Sequence, residues 1–245
     1  YPVHIDIDTG MKRLGFEPEQ ITELIAKLKS SESIEVKSIF SHLAASDEAA
    51  LDEFTEEQIA LFKQLSQDIM DGLDIDVIRH IANSSGIIRF PNAQMDMVRL
   101  GIGLYGFNED LQNQIQTVAR LKSTISQIKL VKKGESIGYG RKGKTTKDIV
   151  IATIAIGYAD GLNRLLSNGV GEVVIRGQRA PIIGNVCMDM AMIDISSIPK
   201  AHVGDSVEIF GENISATEIA KKINTIPYEV LTAISERVKR VFFVD

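Results

Sequence analysis

The sequence predicts an α/β domain followed by a mainly β domain, and three observations lead there. Residues 1 to about 110 alternate apolar period-2 runs with helical apolar stripes. From about Gln116 the stripes give way to short apolar runs separated by Lys-Gly, Asn-Gly, Arg-Gly and Val-Gly-Asp turns. Polar, small or Gly-rich residues follow the strands of the first part, which is where α/β folds gather their chemistry.

Val3, Ile5 and Ile7 alternate over residues 2–7 and read as a first strand. It leads through Asp8-Thr9-Gly10 to a helix over Glu17–Lys29, with Ile21, Leu24, Ile25 and Leu28 on one face. A second strand, Ile34–Phe40, precedes a loop and a helix opened by Thr55 as its cap; Glu56 and Glu57 fill the first turn, and Ile59, Phe62, Leu65 and Ile69 form the stripe. Val77–Ile81 is the third strand, followed by Asn83-Ser84-Ser85-Gly86 and a helical turn, and Met97–Leu100 is a fourth that runs into Gly101-Ile102-Gly103. Four β/α units make half of a (β/α)8 barrel the natural reading, and a small doubly wound sheet is the alternative that periodicity leaves open. In the second part, strands are expected at Val118–Val131, Ile149–Ile156, Gly171–Ile175, Ala180–Ile183, Met190–Ile195 and Ser206–Phe210. Two short helices, Ala216–Ile223 and Tyr228–Ser235, precede a terminal strand at Arg240–Val244.

Composition excludes several classes. The 245 residues are 44% hydrophobic and 24% charged, a globular balance, and 27 basic against 33 acidic residues give a net charge of −6. A nucleic-acid partner is not expected, because that footprint needs clustered Lys and Arg. The single cysteine, Cys187, excludes a disulfide framework and fits a reducing, cytoplasmic location. The longest apolar run, Ile149–Ile156, is interrupted by Thr153 and falls far short of the ~20 residues that span a bilayer, so no membrane association is expected. The start, Tyr1-Pro2-Val3-His4, has no Met, basic segment or signal core, and reads as a strand already under way.

The loop ends of the first part carry Asp8, Arg13, His42, Asp47, Ser84, Arg99, Gly101 and Gly103; the β part contributes Tyr139, Tyr158, Arg164, Cys187, Met188, Asp189 and Tyr228. No P-loop, no dinucleotide GxGxxG and no HExxH occurs. Four scattered histidines and one cysteine argue against a metal site. Arg, Ser, Tyr and glycine N–H groups suit an anionic phosphate ligand, which they can cradle without a metal. From the residues alone, a solvated set of strand-end polar groups is the stronger of the two readings.

Eight blocks shift that balance. Ile7-Asp8-Thr9-Gly10-Met11-Lys12-Arg13-Leu14-Gly15, Ser41-His42-Leu43-Ala44, Ala82-Asn83-Ser84, Arg99-Leu100-Gly101-Ile102-Gly103-Leu104-Tyr105-Gly106, Gly138-Tyr139-Gly140, Gly157-Tyr158-Ala159-Asp160-Gly161, Cys187-Met188-Asp189 and Tyr228-Glu229 resemble, in order and spacing, the blocks of the alanine racemases. These are pyridoxal-phosphate (PLP) enzymes with an N-terminal β/α barrel and a C-terminal β domain. The resemblance implies a partial barrel over 1–114 and the β domain over 115–245. It also implies interconversion of L- and D-alanine, supplying D-alanine for peptidoglycan, in a homodimer whose active site is shared between the two copies.

Racemisation removes the α-proton and returns it to the opposite face, so it needs an acid/base group on each face. The resemblance makes one of these the lysine that holds PLP and the other Tyr139. Free tyrosine titrates near ~10 and needs a nearby positive charge or hydrogen-bond partner to act as a base; the resemblance assigns that support to His42 and Arg99. Arg99 would also face the pyridine nitrogen and keep it unprotonated, which favours simple proton return over transamination. Ser84, the N–H groups of Gly101 and Ile102, and Tyr228 match the phosphate-binding set, with His42 among the cofactor contacts. Arg13 and the Met188 amide match the contacts to the substrate carboxylate. Tyr158, Arg164 and Asp47 match the entryway, while Asp160 and Asp189 read as loop-structuring carboxylates.

Two departures stand out. Asp6 occupies the place where many members have a carbamylated lysine facing the arginine equivalent to Arg13; already anionic, Asp6 is expected to orient Arg13 without a carbamate. The PLP lysine of the family lies in a Val-Lys-Ala-Asn-Ala-Tyr-Gly-like segment that has no counterpart in this sequence. The chain therefore reads as the part of the family fold from mid-barrel onward, inactive by itself, with its barrel completed by another segment or by self-assembly. Some members are fused to the ligase that adds a D-alanine dipeptide to the cell-wall precursor, an arrangement this sequence is compatible with. Two other readings stay open: a racemase for serine or a broader set of amino acids, and a non-catalytic PLP-binding or assembly module.

Overall fold

A computed structural model describes residues 1–107 and 115–243. They fall into two compact units, Tyr1–Ile115 and Gln116–Asp245.

The first unit is built on a parallel sheet of three strands, β1 (Pro2–Asp6), β2 (Glu35–Phe40) and β3 (Ile78–His80), in that order. Helices α1 (Ile21–Lys29) and α2 (Asp52–Leu73) make the crossovers, and a short helix, α3 (Ser84–Arg89), follows β3. Ile5, Ile7, Ile39 and Ile81 form one core with Leu24, Ile59, Phe62, Leu65 and Ile69, so the expected stripe of α2 is the face it buries. The expected cap of α2 is corrected: the helix starts three residues before Thr55, whose hydroxyl donates to the Leu51 carbonyl at 3.1 Å. A 3-10 turn over Ala49–Leu51 feeds straight into α2, which puts Asp52 and Glu53 in the first turn, where acidic side chains suit the helix dipole.

The expected fourth strand, Met97–Leu100, is not a strand. Met95 adopts a left-handed φ of 47°, and the segment touches β3 and its extension through only two backbone bonds, Asp96 N–H to Arg79 O and Arg99 N–H to Ala82 O. Met97, Val98 and Leu100 are exposed, so their apolar character reflects no ladder. After β1 the chain folds back until Phe16 bridges Ile7, exchanging bonds with Asp6 and Asp8 along the sheet edge. Gly15 permits this at φ 106°; a Cβ there would lie 2.7 Å from the Asp8 nitrogen.

The second unit is a closed antiparallel barrel. Its strands are β4 (Leu121–Val131), β7 (Ile149–Ile154), β8 (Glu172–Ile175), β9 (Gln178–Ile183), β10 (Ala191–Asp194) and β11 (Ser206–Phe210), with the small hairpin β5 (Ser136–Ile137) and β6 (Gly143–Lys144) between the first two. Around the barrel the order is β10-β7-β4-β11-β8-β9, and β9 pairs back to β10, so no edge remains. Ile125, Ile154, Val173, Ile175, Ile182, Ile193 and Val207 are fully buried, as the β-branched pattern expects. Helices α4 (Ala216–Lys222), capped by the Ser215 hydroxyl, and α5 (Pro227–Thr232) follow.

The expected terminal strand at Arg240–Val244 is also corrected. Residues 240–243 are irregular, because the Arg240 guanidinium donates to the carbonyls of Ile234, Ser235 and Val238 and folds the segment back as a loop. Val244 lies outside the described residues. Among the described residues no helix is long and apolar enough to cross a membrane.

Candidate functional site

In the first unit the candidate residues converge at the carboxyl ends of the three strands. Arg99 is the centre. One terminal nitrogen donates to the ring of His80 and, at 3.1 Å, to the His80 carbonyl; the other donates to Ser41 O at 2.6 Å and reaches Ile81 O and His42 Nδ1 at 3.4 Å. The guanidinium stands 5.5 Å over the Phe40 ring. Its Nε–H is the donor of the fork that no described residue accepts. Burial pulls the Arg99 pKa down, and the Asp6 charge opposes the fall.

The arginine also dictates the state of its histidines. Arg can only donate, so His42 Nδ1 and His80 Nδ1 must accept, and each neutral ring carries its proton on Nε2. The His42 pKa is lowered by burial and then by the charges of Arg99 and Arg13. His80 is lowered to about 4 by burial, with Arg99 and His4 adding to the effect.

Asp6 and Arg13 line one open cleft of about 220 Å³ with Asp8, Ser41 and His42. Burial raises the Asp6 pKa; Arg13 and Arg99 offset part of the rise, and Asp8 adds to it. Arg13 acts on Asp6 through its charge, without an ion pair at contact distance among the described residues. Asp8 is a structural anion: its carboxylate accepts from the N–H groups of Gly10 at 2.8 Å and Lys12 at 3.1 Å. Burial would raise its pKa, but these bonds and the Lys12 charge outweigh it, and the pKa is lowered.

Ser84 opens α3, with Asn83 capping the helix by accepting from Gly86 N–H at 2.9 Å. The Ser84 hydroxyl accepts from the N–H groups of Gly101 at 2.9 Å and Gly103 at 3.1 Å. Gly101 N–H thus meets Ser84, and the Ser84 hydroxyl proton, polarised by two donors, and the Ile102 N–H have no acceptor among the described residues. Asp47 sits in an exposed part of the loop after β2.

Sequence reasoning missed Gln58 and His80. Gln58, fully buried on α2, accepts from Ala44 N–H at 2.9 Å and donates to His42 O at 3.2 Å and Thr9 Oγ1 at 3.3 Å. It braces the loops after β1 and β2 together. Its signal is only its place beside Ile59 at the edge of the apolar stripe of α2.

In the second unit the candidates are positioned through their backbones. Tyr139 is 71% exposed and lies in the turn between β5 and β6, flanked by Gly138 at φ 73° and Gly140 at φ 66°. Its carbonyl accepts from the Asn185 side chain at 3.0 Å. Met188 is 53% exposed, and its N–H has no partner among the described residues. The loops of Tyr158 and Met188 are joined by Tyr158 N–H to Cys187 O and Ala159 N–H to Met188 O, both 3.0 Å. They pass so closely that a Cβ on Gly157 would lie 2.3 Å from both carbonyl oxygens. Arg237 clamps the pair from outside, bridging Asp160 at 2.6 Å and Asp189, which are loop-structuring carboxylates. Tyr228 is half-exposed on α5, and Arg164 is exposed in a 3-10 turn. An open pocket of about 370 Å³ in this unit is lined by Leu162, Ile209, Phe210, Ile223 and Val230 and holds none of these residues.

The first unit thus offers a fixed cation with one free in-plane donor, a polarised hydroxyl, a neutral imidazole and a guanidinium–carboxylate cleft. The second offers an exposed phenol and a free amide. Among the described residues no group of three or more His, Cys, Asp or Glu side chains is placed to hold a metal ion.

Comparisons with known proteins agree with one another. The family model "Alanine racemase, N-terminal domain" matches residues 1–109, and "Alanine racemase, C-terminal domain" matches residues 118–242. An alanine racemase of Halothermothrix orenii is 43% identical over 252 residues, covering 98% of this chain and 65% of the relative. The structure of an alanine racemase of Clostridium difficile superposes with a TM-score of 0.88 at 40% identity, covering 97% of this chain and 63% of that one. One from Bartonella henselae, with covalently bound pyridoxal phosphate, gives 0.88 at 33% identity, covering 99% and 66%. The chain spans about 65% of the length of the curated relative.

Proposed function

The chain belongs to the alanine racemase family, and from that premise we propose that its residues form the ring-nitrogen, phosphate and carboxylate contacts of a PLP-dependent alanine racemase. The observation that carries the proposal is the Arg99 fork. Four of its five donor positions are spent on the protein, and the fifth, Nε–H, has no acceptor among the described residues, on a guanidinium that these bonds and Phe40 hold still.

PLP, when bound, supplies an electron-withdrawing ring that acidifies the substrate α-carbon. The donor set fits it. Arg99 Nε–H would hold the ring nitrogen unprotonated, because the guanidinium has no proton to give up at neutral pH. The Ser84 hydroxyl, the Ile102 N–H and the Tyr228 hydroxyl would hold the phosphate, with Gly101 acting through Ser84. Arg13, oriented by Asp6, and the Met188 N–H would take the substrate carboxylate. Tyr139 would move the proton on one face, with His42 Nε2–H as its hydrogen-bond partner in a homodimer where the tyrosine serves the second copy. Tyr158, Arg164 and Asp47 would line the entryway. The product, D-alanine, would serve peptidoglycan synthesis. The three parallel strands would be part of the family's barrel.

The family's lysine segment has no counterpart in this sequence. We therefore expect these 245 residues alone to bind PLP without covalent attachment and not to racemise alanine. Fluorescence titration of the purified chain with PLP tests the site: Arg99→Ala and Ser84→Ala should each weaken binding, and unchanged binding in both would overturn it. Turnover of L-alanine by the unmodified chain would overturn the expected inactivity.

A further inference from the structure

We propose that His4, Ser38 and His80 form a one-way hydrogen-bond relay across the parallel sheet that positions Arg99. The consequence for the cofactor rests on the role just proposed for Arg99; the relay itself does not.

The relay crosses all three strands. His4 on β1 pairs in register with Ser38 on β2, and His4 Nδ1 lies 2.7 Å from Ser38 Oγ. Ser38 Oγ lies 3.2 Å from Nε2 of His80 on β3, and His80 Nδ1 meets an Arg99 terminal nitrogen. Ser38 and His80 are buried, so each polar atom needs a partner. None of the three contacts the cleft of Asp6 and Arg13, and none belongs to the blocks that carry the family resemblance.

Only one set of donors satisfies the chain. Arg99 cannot accept, so His80 Nδ1 is the acceptor and its proton sits on Nε2. That proton is donated to Ser38 Oγ. The serine has one proton of its own, and the remaining contact is His4 Nδ1, so Ser38 donates there and His4 carries its proton on Nε2. Reversing the His80 link sets two donors against each other at Arg99, and reversing the His4 link leaves the proton of the buried serine without an acceptor. A His80 with its proton on Nδ1 would push against the guanidinium, so the serine fixes the histidine, and the histidine fixes the arginine. The 5.3 Å stacking of Phe40 on His80, nearly parallel at 5°, holds the ring plane that the bonds require.

These three are positioning residues, and the test reads position. Long-range 1H–15N spectra of the histidine rings in the purified protein, at neutral pH, should show His80 and His4 each protonated on Nε2 alone. In Ser38→Ala the His4 ring should lose that preference, and exchange of the Arg99 side-chain protons should rise by roughly fivefold, the factor a single lost hydrogen bond is worth. Ser38→Thr, which keeps the hydroxyl, should restore both. A His80 ring protonated on Nδ1 in the unmodified protein would overturn the relay, and that measurement decides the matter even where Ser38→Ala fails to fold. Unchanged Arg99 exchange in folded Ser38→Ala and in His80→Ala would overturn it as well. If the ring states are as expected but PLP leaves the Arg99 signals unshifted, the relay stands and the cofactor role of Arg99 falls.

Discussion

The two units solve the problem of holding a polar site in opposite ways. In the parallel-sheet unit the working side chains are sunk into the strand ends and tied by side-chain bonds: Arg99 to three carbonyls, Ser84 to two amides, Asp8 to two more. In the closed barrel the corresponding side chains stand in solvent, and glycines and backbone bonds set their place. Side-chain chemistry should therefore govern the first site, and backbone space the second.

The largest expected effect tests the floor of the first site. Phe62 on α2 is fully buried under the sheet, and Phe62→Ala should cost about 3–5 kcal/mol by chemical denaturation. The loss should fall on the first unit, leaving the barrel's own transition in place. A single shared transition that moves as a whole would erase the distinction between the units.

Gly157→Ala attacks the second unit where it is most vulnerable. The new methyl meets two backbone carbonyls that cannot swing aside, so a loss near the upper end of ~1–3 kcal/mol is expected. Proteolysis of the 157–162 and 187–190 loops should quicken together; protection of either loop would break the reading. Gln58→Leu is its counterpart in the first unit. The substitution suits the volume but strands the Ala44 amide and the His42 carbonyl, which costs about 1–3 kcal/mol. Gln58→Glu keeps the acceptor for the Ala44 amide but turns a buried carboxylate oxygen on the His42 carbonyl, so at neutral pH it should lose at least as much.

Acid should separate the units more gently. His80 titrates near 6.5 when unfolded and near about 4 in the fold. The folded state thus binds fewer protons across that interval, and its stability is full above 6.5 and drains as the pH falls toward 4. A urea series over this range should show the first unit weakening, and His80→Gln should flatten the slope. Tyr139→Phe should have the smallest effect on folding, within ~0.5 kcal/mol, since the phenol is in solvent and only its backbone is bonded. In the racemase reading the same change should abolish turnover in any form of the site that carries the family's lysine segment. Stability and activity thus part company in the barrel unit, whereas Arg99→Ala should damage both.

Legibility in the sequence followed the same division. The α2 stripe and the barrel strands were readable because their periods persist over many residues. Met97–Leu100 was not, because three apolar residues imitate a strand where Met95 and Asp96 forbid a ladder. The blocks around Arg99, Ser84 and Tyr139 stood out as motifs, whereas Ser38 and His80 gave no signal and Gln58 only its place at the edge of a stripe. A polar residue inside an apolar pattern reads as a solvent-facing position until the fold shows what it bonds. Gly101 illustrates the finer limit: the resemblance put it in one set with Ser84, while the bond from its N–H to that serine came to light only with the turn.

The passage of Gly157 beneath the Cys187 and Met188 carbonyls has a consequence for engineering. Two stretches thirty residues apart in the chain share one thickness of backbone, so neither can be recombined alone. A chimera that exchanges the Cys-Met-Asp loop for that of another protein inherits a surface shaped to a bare α-carbon, and it should be exchanged together with residues 157–162 as one cassette.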